Sequence, residues 1–179
     1  MMNWYVSGVT AHPLLSAMVQ FAVLGTFGDC VARWIQSKKI YMPFKLKEVI
    51  WKPVEWAILA IFIKVAFIGY TGFVGSLVSY HLLPDIFNTG FFRALAISTL
   101  MNLQFGLFLV IMHRILDYLP FGKVNWANIQ KGFYSLIWFW IPAHTITFML
   151  PKDYQIGLAA VWSVCLGLIL GLYNNRQTS

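Results

Sequence analysis

The sequence predicts an all-helical bundle embedded in a membrane. Of its 179 residues, 59% are hydrophobic and 11% are charged, and the mean hydropathy is +0.69. In a soluble domain about a quarter of the residues are charged, and a soluble chain of this size could not bury so much apolar surface. We therefore predict a single transmembrane helical-bundle domain over residues 1–179.

Five apolar segments are predicted to form membrane-embedded helices. A helix needs about 20 apolar residues to cross the roughly 30 Å of a bilayer's hydrocarbon core. The second segment exceeds this length, so we expect it to tilt or to extend past the membrane surface. Connectors containing Pro, Gly, Asn and charged residues separate the segments, which lie at about residues 13–35, 53–83, 92–115, 129–149 and 154–173.

The positions of the basic residues favour five crossings. With five, the basic connectors and the C-terminus lie on one face, which the positive-inside rule makes the cytoplasmic-type face. We expect a bacterial inner membrane, or a mitochondrial or peroxisomal membrane. The most basic connector, with its edges, carries Arg33, Lys38, Lys39, Lys45, Lys47 and Lys52.

A four-crossing alternative merges residues 138–162 into one helix. This arrangement would place the C-terminal tail, with Arg176, on the face opposite the basic connectors. Pro151 and the charged pair Lys152 and Asp153 predict a helix break within that region. We therefore prefer five crossings.

Several function classes are disfavoured. The formal net charge of +7 comes mainly from residues beside the apolar segments, which indicates membrane orientation rather than a nucleic-acid-binding face. Cys30 and Cys165 lie in apolar segments without the spacing of a zinc site or a disulfide framework. No GxSxG, HExxH or Gly-rich phosphate loop occurs. We predict a non-enzymatic protein with no cofactor, no metal site and no nucleic-acid partner, whose partners are membrane lipids.

Glycines at helical spacing predict close packing between helices. Lipid provides no hydrophobic force between helices, so small residues that let backbones approach closely favour their association. Packing within the monomer is the first interpretation, and a homo-oligomer interface or a narrow pore wall is the alternative. The predicted packing residues are Gly28, Gly69, Gly72, Gly75, Gly167 and Gly171.

Polar side chains inside the apolar segments are the candidate functional residues. A lysine at the centre of a membrane helix costs about 2.5 to 3.5 kcal/mol on insertion scales, so it is expected to face the bundle or water. These residues either line a hydrated path or fasten helices together, at about 0.6 kcal/mol for each hydrogen bond. The candidates are Asp29, Lys64, Asn102, Gln104 and His144.

Asp29 needs a cationic partner if it is ionised within a membrane. Two are predicted: Arg33, one turn later on the same helix, and Lys64, deeper on the next segment. If Lys64 lines a pore, its charge favours anions.

Short motifs along the chain resemble the Mpv-seventeen/peroxisomal membrane protein family. Near the N-terminus, "WY" precedes "HPLLS", then "GD" and Gln36 follow, and "NLQFGLF" and "WFWIPAH" are similar to later family motifs. The chain departs from the family pattern at Leu103 and Ile146, where the family has Asp and Arg. The positions that match are Pro13, Gly28, Asp29, Gln104 and Pro142.

This resemblance implies a helical bundle of the kind described for several family members as a weakly selective channel for small solutes. The leading hypothesis is passive permeation of small solutes or metabolites through a polar-lined bundle, either within one chain or in a homo-oligomer. The alternative is a non-conducting structural or adaptor protein that binds lipid or partner helices.

Overall fold

The computed structural model describes residues 3–122, 124 and 126–176, and their regular secondary structure is entirely helical. This confirms the predicted all-helical fold for these residues. Two π-helical segments, Asn102–Gly106 and Leu136–Trp140, join α4 to α5 and α6 to α7, and short 3-10 turns cover Asp85–Asn88 and Leu119–Phe121. The helices are α1 (Asn3–Ala11), α2 (Pro13–Ser37), α3 (Leu46–Ser79), α4 (Gly90–Met101), α5 (Leu107–Tyr118), α6 (Ile129–Ser135), α7 (Ile141–Met149) and α8 (Lys152–Arg176).

Five long helical stretches lie where the five apolar segments were predicted. Three of the described stretches, α2, α3 and Gly90–Phe121, are long and apolar enough to cross a membrane. The structure is thus compatible with an integral membrane protein, whereas the predicted five crossings are not confirmed. The main boundary error is in α3, which begins at Leu46 rather than near residue 53.

The outer surface of the bundle is apolar. On α2, large hydrophobic side chains at every fourth position are exposed: Leu15, Val19, Val23 and Phe27. Residues spaced by four lie on one face of a helix, so these side chains form a continuous apolar stripe. Such a stripe is unfavourable in water and suits contact with lipid.

The chain breaks between α7 and α8 as predicted. α7 ends at Met149, Leu150 is extended, and α8 begins at Lys152 directly after Pro151. The single merged helix of the four-crossing alternative is therefore wrong.

Among the described residues, the backbones of α2 and α8 approach each other closely at two glycines. A Cβ added at Gly167 would lie 2.5 Å from the carbonyl oxygen of Gly28, and one added at Gly28 would lie 3.0 Å from that of Ser163. Backbone cannot move aside as a flexible side chain can, so both glycines are required for this approach.

The interpretation that all of the predicted glycines pack within the monomer needs correction. A Cβ added at Gly69 or Gly72 meets no atom within 4 Å, and one at Gly75 meets only the Arg93 side chain, at 3.5 Å. The reason is the orientation of α3, whose buried face is carried by other residues, including Phe67 and Val74. Gly171 lies outside the residues whose surroundings the structure describes.

Candidate functional site in the central cavity

A cavity of about 430 Å³ lies inside the bundle. All five helical stretches contribute to its wall. At one end the wall includes Gln36 and Asp117, beside the basic connectors, and at the other it includes Asn102 and His144. Asp117 and Asn102 are about 15 residues apart on one helical stretch, which corresponds to about 22 Å. The cavity therefore extends deep into the bundle, and its volume is in the range of small-molecule sites.

Five titratable side chains form a cluster at the connector end, which we call the mouth cluster: Asp29, Lys52, Glu55, His113 and Asp117. Lys52 is at its centre. Its Nζ lies 3.2 Å from Asp29 Oδ2 and 3.3 Å from Glu55 Oε2, and it donates a hydrogen bond to Asp117 Oδ1. One ammonium group thus contacts carboxylates from three helices, α2, α3 and α5.

The innermost carboxylate of the mouth cluster is Glu55, whose side chain is fully buried. His113 Nε2 lies 3.1 Å from Glu55 Oε1, and the Trp56 indole donates to Asp29 Oδ2 at 3.1 Å. A buried charge is tolerated only when it is paired. Among the described residues, Lys52 and His113 are the ion-pair neighbours of Glu55.

Local sequence explains how the mouth cluster forms. On α3, Lys52, Glu55 and Trp56 are three and four residues apart, so they share one helix face. On α5, His113 and Asp117 share a face in the same way. The Trp51 indole joins the two helices by donating to the carbonyl oxygen of Leu116 at 2.7 Å.

A second polar group, the deep polar pair of Asn102 and His144, lies at the inner end of the cavity. Both residues are buried, with 2% and 7% of their surface exposed. Asn102 Nδ2 donates to the carbonyl oxygen of Ser98 at 2.8 Å and lies 3.1 Å from His144 Nδ1. The His144 ring stacks on Trp140, with centroids 5.0 Å apart, and meets the edge of Phe67.

Both π-helical segments border this inner end. The first begins at Asn102, the second ends at Trp140, and the two are in contact. Gly106 allows the approach, because a Cβ there would lie 2.8 Å from Leu136 Cδ2. Single π-helical turns inside α-helices are frequent at functional sites.

Asp29 lines the cavity, but both predicted partners, Arg33 and Lys64, are wrong. Its cationic neighbour is Lys52. Arg33 turns away and donates to the carbonyl oxygen of Pro43 at 2.7 Å and to Glu48 Oε1 at 2.9 Å. Because α3 begins early, Lys52 is level with Asp29, and Lys64 lies about 18 Å further along α3.

Lys64 and Gln104 do not line the cavity. Lys64 is half-buried, and no carboxylate of the described residues lies within 4 Å of its Nζ. Gln104 is exposed on the outer surface, where its Oε1 accepts a hydrogen bond of 3.2 Å from the Tyr70 hydroxyl. Asp29, Asn102 and His144 are the predicted site residues that the structure brings to the cavity.

Sequence reasoning missed Lys52, His113 and Asp117 as site residues, and it did not place Glu55 in a cluster with them. A signal was present, since each pair lies three or four residues apart near the end of a segment beside a basic connector. Hydropathy places such residues at a membrane surface, whereas the ends of α3 and α5 extend far enough to bring them together. Within the described part of the chain, no group of three or more His, Cys, Asp or Glu side chains is arranged to hold a metal ion.

The chain was also compared with known proteins. No family model, curated protein or solved structure matches it.

Proposed function

We propose that this protein is a multi-pass integral membrane protein that provides a path for small polar solutes. The observation that carries the proposal is the central cavity, which connects a charged mouth to a polar pair about 22 Å deeper. Buried polar groups are unfavourable in a membrane protein, and where they occur they commonly mark solute or ion pathways.

The proposal includes five crossings. Ile129–Met149 and α8 would be about 31 Å and 37 Å long at about 1.5 Å per residue, enough to cross the hydrocarbon core. Their packing supports this, since α7 lies against α4 and α8 lies along α2. The mouth then opens on the face of the basic connectors, which the positive-inside rule makes cytoplasmic-type.

We propose weak selectivity for charge. Among the described residues, the cavity wall carries two acidic side chains, Asp29 and Asp117, and two basic side chains, Arg114 and Lys131. The negative and positive charges are therefore equal in number. An anion preference based on Lys64 is not proposed, because that residue does not line the cavity.

The path also requires a movement deep in the bundle. Apolar side chains, including Phe67 and Met101, border the inner end, and they belong to the main hydrophobic core. Apolar constrictions of this kind can regulate passage by excluding water. A permeating solute would have to displace them.

Membership of the Mpv-seventeen/peroxisomal membrane protein family is part of the same proposal. Of the residues that carry the resemblance near the N-terminus, Gly28, Asp29 and Gln36 lie on the cavity wall. A channel for small solutes is what the resemblance implies.

One observation favours the alternative, a non-conducting adaptor that binds a partner helix or a second copy. Gly69 and Gly72 on α3 are exposed, next to the exposed side chains of Ile68 and Phe73. A helix from another chain could approach this surface closely. An adaptor would bind there without releasing any solute.

Solute release from liposomes tests the proposal. Purified protein is reconstituted into vesicles loaded with uncharged, anionic and cationic solutes of graded size. Leu166→Trp adds a large ring to the cavity wall, and Leu168→Trp makes the same change at an exposed position on the same helix. We expect release from wild type, reduced release from Leu166→Trp, and unchanged release from Leu168→Trp and Lys64→Leu. Absence of release from folded wild-type protein would support the adaptor instead.

A further inference from the structure

The inner end of the cavity contains two ring nitrogens, on His144 and Trp140, that have no hydrogen-bond partner among the described residues. Asn102 Nδ2 carries two hydrogens, and one is donated to the carbonyl oxygen of Ser98. His144 Nδ1 lies 3.1 Å from Asn102 Nδ2 and 3.3 Å from Asn102 Oδ1. We assign Nδ1 as the acceptor of the second Nδ2 hydrogen, the shorter contact, which places the ring proton on Nε2. The described chain provides no acceptor for His144 Nε2 or for the indole N–H of Trp140, and both residues line the cavity.

The walls around these donors are flat and apolar. Trp140 stacks on the His144 ring, while Phe67 and Phe105 add aromatic surface and Met101 adds a flexible thioether. Aromatic side chains favour stacked or edge-on contact with another ring. The shape and chemistry of the walls therefore suit a flat, largely apolar molecule.

The charge of the site excludes ionised ligands. The nearest charged or titratable groups on the same helical stretches are His113, about 16 Å from Asn102, and Lys131, about 13 Å from Trp140, and Lys64 does not reach the cavity. An ionised group at the inner end would be buried without a counter-charge, which is strongly unfavourable. A neutral hydrogen-bond acceptor is what the two donors can satisfy.

We propose that the inner end of the cavity binds an uncharged, carbonyl-bearing ring of the quinone type, with a ring carbonyl accepting a hydrogen bond from His144 Nε2. Trp140 provides the stacking surface and a second donor. This inference goes beyond the proposed function and rests on it in two respects, the access that the mouth gives to the cavity and the displacement of the Phe67 and Met101 side chains at its inner end. The site requires only binding, and no redox step is part of it.

Two probes that differ only in their carbonyl groups test the site. Tetramethylbenzoquinone has the proposed acceptors, and tetramethylbenzene has the same ring and methyl groups without them. Their dissociation constants are measured by titration calorimetry on the full chain in detergent micelles, with partition into empty micelles subtracted. His144→Phe keeps a ring and removes the donor, and His12→Phe makes the same change at an exposed position outside the cavity.

We expect wild type and His12→Phe to bind the quinone about ten-fold more tightly than the hydrocarbon, the scale of one buried hydrogen bond. His144→Phe should lose this preference. Equal binding of the two probes by wild type, or a full preference in His144→Phe, would overturn the site.

A second variant keeps the test decisive if His144→Phe does not fold. Trp140→Phe keeps an aromatic ring and removes the second donor, so the preference should fall, and an unchanged preference would overturn the site.

Quinone binding and solute release are measured separately, so the binding site and the permeation path can fail independently. Quinone binding without solute release would leave the site standing and contradict the path, and release without quinone binding would do the reverse.

Discussion

The mouth cluster contains five titratable side chains from three helices, whereas the deep polar pair contains an amide and an imidazole. In the mouth cluster, Asp29 and Asp117 keep about a quarter of their side-chain surface exposed, so water reaches the charges from the connector side. Asn102 and His144 are almost fully buried. The difference shows that the type of polar group depends on its distance from water. Charged networks lie close to water, and hydrogen bonds between uncharged groups lie deeper in the bundle.

The largest effect is expected from removing the central charge of the mouth cluster. Lys52→Met keeps the length of the side chain and leaves Glu55 buried with His113 as its remaining neighbour. Breaking a buried ion pair by removing one partner costs about 3 to 5 kcal/mol. Thermal unfolding of the purified variant in detergent should show a large drop in Tm.

Lys47→Met is the matched control, because Lys47 is an exposed residue near the start of the same helix. Its Tm should equal that of wild type. Equal Tm values for the two variants would mean that Lys52 does not hold the mouth cluster together, and the contrast with the deep polar pair would disappear.

The second effect concerns the wall that holds Asp29 at the mouth. Gly167→Ala places a methyl group against the Gly28 carbonyl oxygen and must push α2 from α8, at about 2 to 3 kcal/mol for overpacking. Gly72→Ala, with open space around it in the interior of α3, should not lower the free energy of unfolding and should raise it by up to about 1 kcal/mol, because Ala favours the helix over Gly. Denaturant titration measures both, and a Gly167→Ala variant as stable as wild type would show that the α2–α8 contact can relax.

A smaller loss is expected in the deep polar pair. Asn102→Leu removes the partner of His144 Nδ1 and leaves a buried ring nitrogen unpaired, at about 1 to 2 kcal/mol. Adding His144→Phe removes the unpaired group, so the double variant should be more stable than the sum of the single changes predicts. Strictly additive losses in a thermal double-mutant cycle would show that the two residues are not coupled.

These two regions also separate what the sequence could predict from what it could not. Long apolar runs predicted the five helical stretches, because hydropathy and helical periodicity are local properties. The start of α3 was missed, since the Glu48 carboxylate accepts from the Lys45 backbone N–H at 2.9 Å and extends the helix beyond the apolar run. A cap is a side-chain contact that hydropathy does not detect.

The site residues that the sequence could predict are polar residues that stand alone within apolar runs. Asn102 and His144 stand out as polar residues within apolar runs, and Asp29 does so for the same reason. The pairing of Asp29 with Lys52 depends on how α2 and α3 align, which no single helix specifies. Sequence reasoning therefore found polar residues and assigned their partners incorrectly.

The smallest effect should come from a polar contact on the outer surface. Gln104 and Tyr70 share one hydrogen bond of 3.2 Å on the exposed face of the bundle. Hydrogen bonds between membrane helices contribute about 0.6 kcal/mol on average, so Gln104→Leu and Tyr70→Phe should each cost about that much, and together no more than either alone. Solute release should not change, because neither side chain lines the cavity. Suppose instead that Gln104→Leu reduced release while the protein stayed folded. The path would then have to include the outer face of α3, and the assignment of the path to the cavity that holds the mouth cluster and the deep polar pair would be wrong.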